Sequence, residues 1–380
     1  MTKTNLSIMM IASEASSEQR GAEVAVELYK QMPYLHIFGV GGQAMRDASV
    51  ETVIDVRELS ILGFFEVIQH LPKIVKIYRR VKTIIQLRKP DLIILIDGYG
   101  FNIKIAALAK KLGINVLFYI SPQVWASRRY RIKKIVKYVD HIAVIFPFEK
   151  EYYSHKGIAV DYVGHPLTKK FQSPPTVFQA RQQLDLPADI KIIALMPGSR
   201  RNEIDYLLPI MLESAVRLKA RDQEIKFILP LASTISREKI NHFLESYDVD
   251  INVIPNHSID VAAAVDMAIV ASGTATLELA LLRKPMIILG KVHPLTAVLL
   301  RRLIKIPYVG LCNIIAGKKI VCEFLQQDAT ADNIVAEAIH ILEDQAYRDQ
   351  MIENLTTTKA ALGNVDAANK VANIALDMIK

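Results

Sequence analysis

The stretch Lys191-Ile-Ile-Ala-Leu-Met-Pro-Gly-Ser-Arg200 contains the sequence pattern that indicates the fold class of this chain most clearly. A nearly continuous apolar run leads into a Pro-Gly turn, and apolar residues with helical spacing begin at Ile204. Runs that are apolar at almost every position are typical of parallel strands covered by helices on both faces. The stretch therefore predicts a strand, a tight turn and a helix of a doubly wound α/β sheet.

The same alternation of apolar runs and amphipathic helices extends in both directions along the 380 residues. Predicted helices include Ala22–Gln31, Ile103–Lys111 and Ile204–Leu218. A polar stretch around Pro166–Pro175 interrupts the alternation and separates two series. The predicted strands are Ser7–Ile11, His36–Val40, Leu92–Ile96, Asn115–Tyr119, His141–Ile145 and Val160–Val163 in the first series, and Lys191–Met196, Lys226–Leu229, Ile251–Ile254, Met267–Val270 and Met286–Leu289 in the second.

Two such series predict an α/β chain with two doubly wound, Rossmann-like domains that face each other across a cleft. We expect the first domain to span residues 1–168 and the second to span residues 176–365. The last helix, Asp366–Ile379, is amphipathic, and we expect residues 366–380 to pack back on the first domain. Ligands of such sheets bind beyond the carboxyl ends of the strands.

Composition excludes several classes of protein. Hydrophobic residues make up 51% of the chain and charged residues 23%, which excludes a disordered or collagen-like polypeptide. The chain has two cysteines, Cys312 and Cys322, which are too few to stabilise a fold of this size by disulfide bonds, so a reducing compartment is expected. No Cys/His cluster has the ligand spacing of a zinc site, and we expect no metal. The first apolar run is too short for a signal peptide, and no stretch has the roughly 18–20 apolar residues of a membrane span.

The charge of the chain is positive and uneven. The net charge is +8, no acidic residue lies between Asp97 and Asp140, and residues 73–89 contain seven Lys/Arg and no acid. Such segments attract polyanions, which leaves nucleic acid, anionic lipid and a phosphorylated substrate as candidates. Nucleic acid is the weakest of the three because no recognised motif is present and aromatic residues make up only 7%.

Two turns in the second half have the features of phosphate sites. In Pro197-Gly-Ser-Arg200, free backbone N–H groups and a guanidinium suit a diphosphate. Small residues and hydroxyl groups follow the strand Met267–Val270, and Glu278 is placed to accept hydrogen bonds from a ribose diol. Ordinary capped βα turns are the alternative, but two such turns together predict a nucleotide diphosphate site. Its candidate residues are Gly198, Ser199, Arg200, Ser272, Gly273, Thr274, Ala275, Thr276 and Glu278.

The first half contains candidates for acid–base chemistry and for lipid contact. Asp97 follows a predicted strand and suits a general base, although capping the next helix is equally compatible with its position. The loop Ser121–Ser127 contains the only Trp and opens a basic segment, which predicts a rigid rim of the cleft. Residues 63–80 combine apolar and cationic side chains, a pattern that favours an anionic bilayer or an acyl chain and is also typical of a buried helix with a solvated face. The candidates for acceptor or membrane contact are Phe64, Phe65, Val67, Ile68, Leu71, Trp125, Arg128 and Arg129.

As a set, these motifs resemble the lipid-A-disaccharide synthases, the family-19 glycosyltransferases, along nearly the whole chain. Single motifs recur in other two-domain glycosyltransferases, whereas their order and spacing are specific to this family. The matching stretches are Glu14-Ala-Ser16; Gly39-Val-Gly-Gly42; Gly63-Phe-Phe-Glu-Val-Ile-Gln-His-Leu-Pro72; Asp97-Gly98; Ser121-Pro-Gln-Val-Trp125; Phe146-Pro-Phe-Glu149; Gly164-His-Pro166; Pro197-Gly-Ser-Arg200 with Glu203; Ser272-Gly-Thr-Ala-Thr-Leu-Glu278; and Tyr308-Val-Gly-Leu-Cys-Asn-Ile-Ile-Ala-Gly317.

The resemblance implies a GT-B fold and an inverting, metal-independent transfer of 2,3-diacylglucosamine from its UDP derivative to 2,3-diacylglucosamine 1-phosphate. It implies that Asp97 is the base, that Glu14 and Ser16 act on the acceptor side, and that Asn313 joins the UDP site. It further implies work at the anionic cytoplasmic face of the inner membrane, without nucleic acid, and a homodimer is one possible assembly. The chain departs from the family pattern at Ser17-Glu18, where Gly-Asp is usual, and at Ser127, where a second Trp is common.

Two other functions are compatible with the motifs. One is a different GT-B enzyme, such as a UDP-GlcNAc 2-epimerase or a polyprenyl-acceptor transferase. The combination of Asp97, Ser121–Trp125 and Tyr308–Gly317 argues against it. The other is a paralogue that binds a UDP-sugar or lipid without turnover. The reason to consider it is that the loop Ser17-Glu-Gln-Arg20 differs from the family pattern.

Overall fold

The computed structural model describes residues 6–60, 71–294, 296–298 and 306–379. The chain divides into two compact units. The first unit consists of Met1–Pro166 together with Asn364–Lys380, and the second consists of Leu167–Gly363. Each unit is built around one parallel sheet, so the fold class predicted from the alternating pattern is confirmed for both.

The sheet of the first unit has the order β3-β2-β1-β4-β5-β6-β7, and its pairings are parallel. The strand order reverses between β1 and β4, where Ala12 pairs with Ile96, so the loops after these strands leave the sheet side by side. The strands are β1 (Ser7–Ala12), β2 (His36–Gly41), β3 (Glu51–Asp55), β4 (Leu92–Ile96), β5 (Asn115–Tyr119), β6 (His141–Val144) and β7 (Ala159–Tyr162).

Helices cover this sheet on both faces, and its central strands are fully buried, as in β4, where every residue is 0% exposed. The last helix of the chain packs on the first, where Gln31 Nε2 donates to Asn373 Oδ1 at 2.8 Å. The helices are α1 (Ala15–Gln31), α2 (Gln43–Asp47), α3 (Arg57–Ser60), α4 (Leu71–Arg88), α5 (Tyr99–Lys111), α6 (Ile132–Tyr138), α7 (Pro147–Ser154) and, at the end of the chain, α16 (Ala367–Ile379).

The sheet of the second unit has the order β10-β9-β8-β11-β12-β13, again with parallel pairings. Its order reverses between β8 and β11, where Met196 pairs with Val270. The strands are β8 (Ile192–Met196), β9 (Lys226–Leu231), β10 (Ile251–Pro255), β11 (Met267–Ala271), β12 (Met286–Gly290) and β13 (Cys322–Leu325). The helices are α8 (Val177–Gln183), α9 (Arg201–Arg221), α10 (Arg237–Leu244), α11 (Ser258–Ala264), α12 (Thr274–Leu281), α13 (Leu311–Ala316), α14 (Ala331–Glu343) and α15 (Gln345–Leu362).

The sequence pattern missed one strand in each sheet. Both missed strands, β3 and β13, lie at a sheet edge, and β13 has no fully buried residue. Edge strands are partly exposed and therefore do not need a continuous apolar run. In the described part of the chain, no helix is long and apolar enough to cross a membrane.

Candidate functional site

A cavity of about 500 Å³ lies at the carboxyl ends of the central strands of the second unit. The loops after β8 and β11 are neighbours there, because the strand order reverses between these two strands. The structure therefore brings the two predicted phosphate turns to one site. The cavity is lined by Met196, Gly198, Ser199, Arg200, Glu203, Pro230, Leu231, Ala232, Ser233, Asn256, Ser258, Ala271, Ser272, Gly273, Thr274, Ala275 and Glu278.

The turn after β8 differs from its prediction in one respect. The Glu203 carboxylate accepts hydrogen bonds from the backbone N–H groups of Ser199 at 3.0 Å and Arg200 at 3.2 Å. Glu203 is the third residue of α9 and forms a capping box with Arg200, so the expectation of free amides at this turn is wrong. The carboxylate also fixes Gly198, which has φ +105° and whose Cβ would lie 2.2 Å from Glu203 Oε2.

Arg200 keeps most of its hydrogen-bonding capacity for a ligand. Its Nη1 donates to Glu203 Oε1 at 2.8 Å, which uses one of the five N–H donors of the guanidinium. The side chain is 82% exposed and lines the cavity. At this turn the guanidinium, and not the backbone, is therefore the group that can bind an anion.

The free backbone donors of the site lie at the start of α12. Gly273 and Thr274 are exposed, and the first N–H groups of a helix have no acceptor within that helix. The buried Thr276 hydroxyl donates to the Gly273 carbonyl at 2.8 Å and shapes the turn. Thr276 was predicted to contact the ligand, and the structure instead places its side chain inside the fold.

Asn313 is a second predicted UDP residue that does not line the cavity. Its side chain is 0% exposed, its Oδ1 accepts from Ile320 and Val321 N–H, and its Nδ2 donates to Glu323 at 2.7 Å. Every polar atom of this amide is thus used in packing the segment before β13. The prediction that Asn313 contacts the nucleotide is not supported by this geometry.

Asn313 nevertheless acts on the site through a chain of hydrogen bonds. Glu323 also accepts from the N–H groups of Val309 and Gly310, each at 2.9 Å. The Val309 carbonyl in turn accepts from the Ser272 hydroxyl at 3.1 Å. This network holds the 309–310 segment against the end of β11, next to the free amides.

Glu278 lies one turn into α12 and lines the cavity as predicted. Burial raises the pKa of its carboxyl group, and the positive charge of Lys170 partly opposes that shift. A half-buried carboxylate at this place is a suitable acceptor for the hydroxyl groups of a sugar.

The loops after β9 and β10 contribute lining residues that sequence reasoning missed. Residues 230–233 follow the buried part of β9, and Asn256 and Ser258 follow β10. The Thr234 hydroxyl donates to the Ser199 carbonyl at 2.6 Å, which joins the β9 loop to the β8 turn. The signal was available, because both strands were predicted and ligands bind where such strands end.

In the first unit, Asp97 lies at the end of β4, beside the loop that follows β1. Its backbone is left-handed, with φ 56°, and its Oδ1 accepts from the Gly98 N–H at 2.7 Å. The fully buried Asn102 donates through Nδ2 to the Asp97 carbonyl at 2.7 Å. Burial raises the pKa of the Asp97 carboxyl, as suits a group that must accept a proton.

The loop after β1 presents the other two catalytic candidates. The side chains of Glu14 and Ser16 are exposed. The buried Ser17 hydroxyl accepts from the N–H groups of Ser13 at 3.0 Å and Glu14 at 2.8 Å, and Glu18 accepts from Ala44 N–H at 2.7 Å. Ser17 and Glu18, the two residues that depart from the family pattern, therefore hold the loop and cap α2. They leave the side chains of Glu14 and Ser16 exposed.

The structure corrects the role expected for Trp125. Its side chain is 6% exposed, and its Nε1 donates to the buried Glu149 carboxylate at 2.9 Å. The indole also packs edge-on against Phe148. Trp125 is thus a core residue, whereas Arg129 is exposed and Arg128 is partly exposed.

The structure describes only part of residues 63–80, the segment predicted to contact lipid. Phe64, Phe65, Val67 and Ile68 lie outside the described residues, as does the side chain of Leu71. Within α4, the apolar face Ile77, Val81 and Ile85 is buried in the core of the first unit, while Lys76, Arg79 and Lys82 are exposed. This part of the segment has the buried face and solvated basic side that the alternative interpretation described.

Comparison with known proteins agrees with these motifs. A family model described as lipid-A-disaccharide synthetase matches residues 8–375. The chain is 41% identical over 376 residues to a lipid-A-disaccharide synthase of Geobacter sulfurreducens, covering 99% of this chain and 98% of that protein. It is 40% identical over 380 residues to a lipid-A-disaccharide synthase of Coxiella burnetii, covering 99% of each.

Solved structures share the fold at low sequence identity. The glycotransferase of kitacinnamycin superposes with a TM-score of 0.66 at 13% identity, covering 100% of both chains. A UDP-GlcNAc 2-epimerase of Neisseria meningitidis superposes with a TM-score of 0.65 at 14% identity, covering 98% of this chain and 100% of that one. These likenesses support the two-unit α/β architecture.

Proposed function

The chain belongs to the family of lipid-A-disaccharide synthases, which are glycosyltransferases, and on that premise we propose its substrates and mechanism. The donor is UDP-2,3-diacylglucosamine, and the acceptor is 2,3-diacylglucosamine 1-phosphate. The 6-hydroxyl of the acceptor attacks the anomeric carbon of the donor, with inversion, and UDP leaves. The observation that carries this proposal is the cavity in which Arg200, Glu278 and the start of α12 meet.

In this proposal the second unit binds UDP. The free N–H groups at Thr274 and Ala275 donate to diphosphate oxygens, with the positive end of the helix dipole behind them. The Arg200 guanidinium adds charge-assisted hydrogen bonds, and Glu278 accepts from the ribose hydroxyls. Arg200 and the α12 amides together offset the charge that develops on the leaving UDP, and we propose that no metal ion is required.

Asp97 is the proposed base. Its carboxylate accepts the proton of the acceptor 6-hydroxyl as the new C–O bond forms and the bond between the anomeric carbon and the diphosphate breaks. Its raised pKa makes it a stronger proton acceptor than an exposed Asp. The exposed Glu14 and Ser16, on the neighbouring loop, hydrogen-bond the acceptor sugar.

We propose that the enzyme works at the anionic cytoplasmic face of the inner membrane, where its lipid substrates reside. The exposed cations of α4 and the 128–137 segment provide electrostatic attraction to that surface. The apolar residues Phe64, Phe65, Val67 and Ile68 are the proposed contact with acyl chains or bilayer. Replacing Phe64, Phe65 and Ile68 with Ser is expected to release the protein from anionic vesicles, and unchanged partitioning would contradict this contact.

The test is direct observation of the product. Purified protein is incubated with both acylated sugars, and the disaccharide 1-phosphate and UDP are followed by mass spectrometry. We expect both products in equal amounts, and formation of both roughly 10²- to 10⁴-fold slower with the Asp97→Asn variant. UDP binding without disaccharide would indicate a binding protein, and UDP release without disaccharide would indicate other chemistry on the donor. Either result would contradict the proposal.

A further inference from the structure

A second cavity, of about 820 Å³, lies in the second unit at the amino ends of the strands of its sheet. Residues immediately before three strands line it: Lys191 before β8, Asp266 before β11, and Lys284 with Pro285 before β12. The UDP cavity lies where the same strands end. The second cavity is therefore separate from the proposed reaction, and a ligand bound in it would take no part in that reaction.

Positive charge dominates this cavity. Among the described residues that line it are five basic side chains and one carboxylate: Lys191, Arg283, Lys284, Arg348, Lys359 and Asp266. The carboxylate already has partners, since Asp266 Oδ2 accepts from Arg181 Nη2 at 2.9 Å and from Ile192 N–H at 2.7 Å. Its charge still attracts Lys284, but a single carboxylate leaves the five basic groups of the cavity in excess.

Two of the five cations have partners of their own. Lys191 Nζ lies 3.0 Å from Asp222 Oδ2. Arg348 Nη1 donates to the carbonyl groups of Ile341 at 3.2 Å and Leu342 at 3.1 Å, which lie in the last turn of α14. These two side chains are anchored at the wall of the cavity.

The other three cations, Arg283, Lys284 and Lys359, have no carboxylate partner within the described part of the chain. Lys284 is half-buried and donates only to the Val265 carbonyl, at 2.7 Å. Burial lowers the pKa of Lys284 to about 8, the negative charge of Asp266 opposes this shift, and the positive charges of Arg181 and Arg283 add to it. Burial also lowers the pKa of Lys359, with a further contribution from the positive charge of Arg283. Three like charges thus converge on one cavity, an arrangement that an anion would stabilise.

The remaining wall of the cavity is apolar. It consists of Val177, Leu281, Leu282, Ile341, Leu342 and Ile352. We propose that this cavity is a second ligand site, which binds a phosphate monoester: the phosphate lies among Arg283, Lys284 and Lys359, and an apolar substituent lies along the aliphatic wall. Charge complementarity selects the phosphate, and the aliphatic wall favours an alkyl ester over the free ion.

The test is calorimetric titration of the full chain with inorganic phosphate and with hexyl phosphate. We expect hexyl phosphate to bind more tightly than inorganic phosphate, and the double variant Arg283→Gln/Lys359→Gln to bind both at least tenfold more weakly. Lys318→Gln removes one charge from an exposed position that does not line the cavity, and it is expected to bind like the wild type. Arg200→Ala is expected to bind UDP more weakly and to bind hexyl phosphate like the wild type, so the failure of either proposal is distinguishable from that of the other.

Thermal unfolding without phosphate separates a ligand site from a structural one. Because the double variant removes repulsion between like charges, we expect it to unfold at the same temperature as the wild type or at a higher one. Equal affinity of wild type and double variant, equal affinity for the two phosphates, or a lower unfolding temperature of the double variant would each overturn the proposal.

Discussion

Replacing Asp97 with Asn is expected to remove the proposed base and leave the rest of the molecule intact. Asn tolerates the left-handed backbone at position 97, and its side-chain oxygen still accepts from the Gly98 N–H. It cannot accept the proton of the attacking hydroxyl. We therefore expect turnover to fall roughly 10²- to 10⁴-fold, the range typical of a lost general base, while the affinity for UDP stays unchanged.

The local structure sets the expected stability of this variant. Since burial disfavours the ionised Asp97 carboxylate, the neutral Asn is expected to leave the free energy of unfolding at neutral pH unchanged or to raise it. Asp97→Ala is the matched comparison. It lacks the acceptor for Gly98 and places Ala in a left-handed conformation, at a cost of roughly 1–2 kcal/mol.

The raised pKa of Asp97 sets how activity and stability change with pH. The base must be ionised, so activity is lost as the pH falls through its pKa, and burial places that pKa above the ordinary value for Asp. The same shift makes the contribution of Asp97 to stability largest at low pH, and that contribution is lost as the pH rises through the folded-state pKa. Initial rates of UDP release, measured across the acidic range, give the rate profile. Turnover of Asp97→Asn within tenfold of wild type would exclude Asp97 as the base.

Three further substitutions test individual contacts. Glu278→Ala is expected to weaken UDP binding about tenfold in calorimetry, because a charge-assisted acceptor for the ribose is lost. Asn102→Ala is expected to lower turnover and leave UDP affinity unchanged, since it removes the hydrogen bond to the Asp97 carbonyl. Trp125→Phe is expected to lower the free energy of unfolding by about 1–3 kcal/mol in urea titrations, because the buried Glu149 loses a donor.

Each of these has a clear contrary outcome. Full UDP affinity in Glu278→Ala would exclude the ribose contact. Wild-type turnover in Asn102→Ala would show that Asp97 does not depend on this amide for its position. If the Trp125→Phe protein were as stable as the wild type but bound the acceptor more weakly, Trp125 would be an acceptor contact. That result would contradict its assignment to the core.

The buried central strands and the positions of the loops that follow them were predictable from sequence. Strands such as β4 are covered on both faces and must be apolar throughout. The structure then has Asp97 directly after β4 and the Ser272–Glu278 turn directly after β11, at the carboxyl ends of strands where ligands bind in such sheets. The edge strands β3 and β13 were missed because partly exposed strands share their composition with loops.

Side-chain partners were the part that sequence did not reveal. Glu203 stands three residues after Arg200, a spacing that predicts a capping carboxylate, and it occupies the amides that were expected to be free. Asn313 and Trp125 were assigned to ligands from their motifs, and both are buried in hydrogen-bonded contacts. A motif gives residue identity, whereas burial depends on contacts distant in sequence.

Calorimetric titration of UDP into wild type, Arg200→Ala and Arg201→Ala tests whether the Arg200 guanidinium binds the diphosphate of UDP. Arg201 is exposed and does not line the UDP cavity, so it is the matched control. A charge-assisted hydrogen bond contributes about 1.5–3 kcal/mol, so we predict about 10- to 100-fold weaker binding for Arg200→Ala and unchanged binding for Arg201→Ala. Undiminished affinity for UDP in Arg200→Ala would show that Arg200 does not bind the nucleotide.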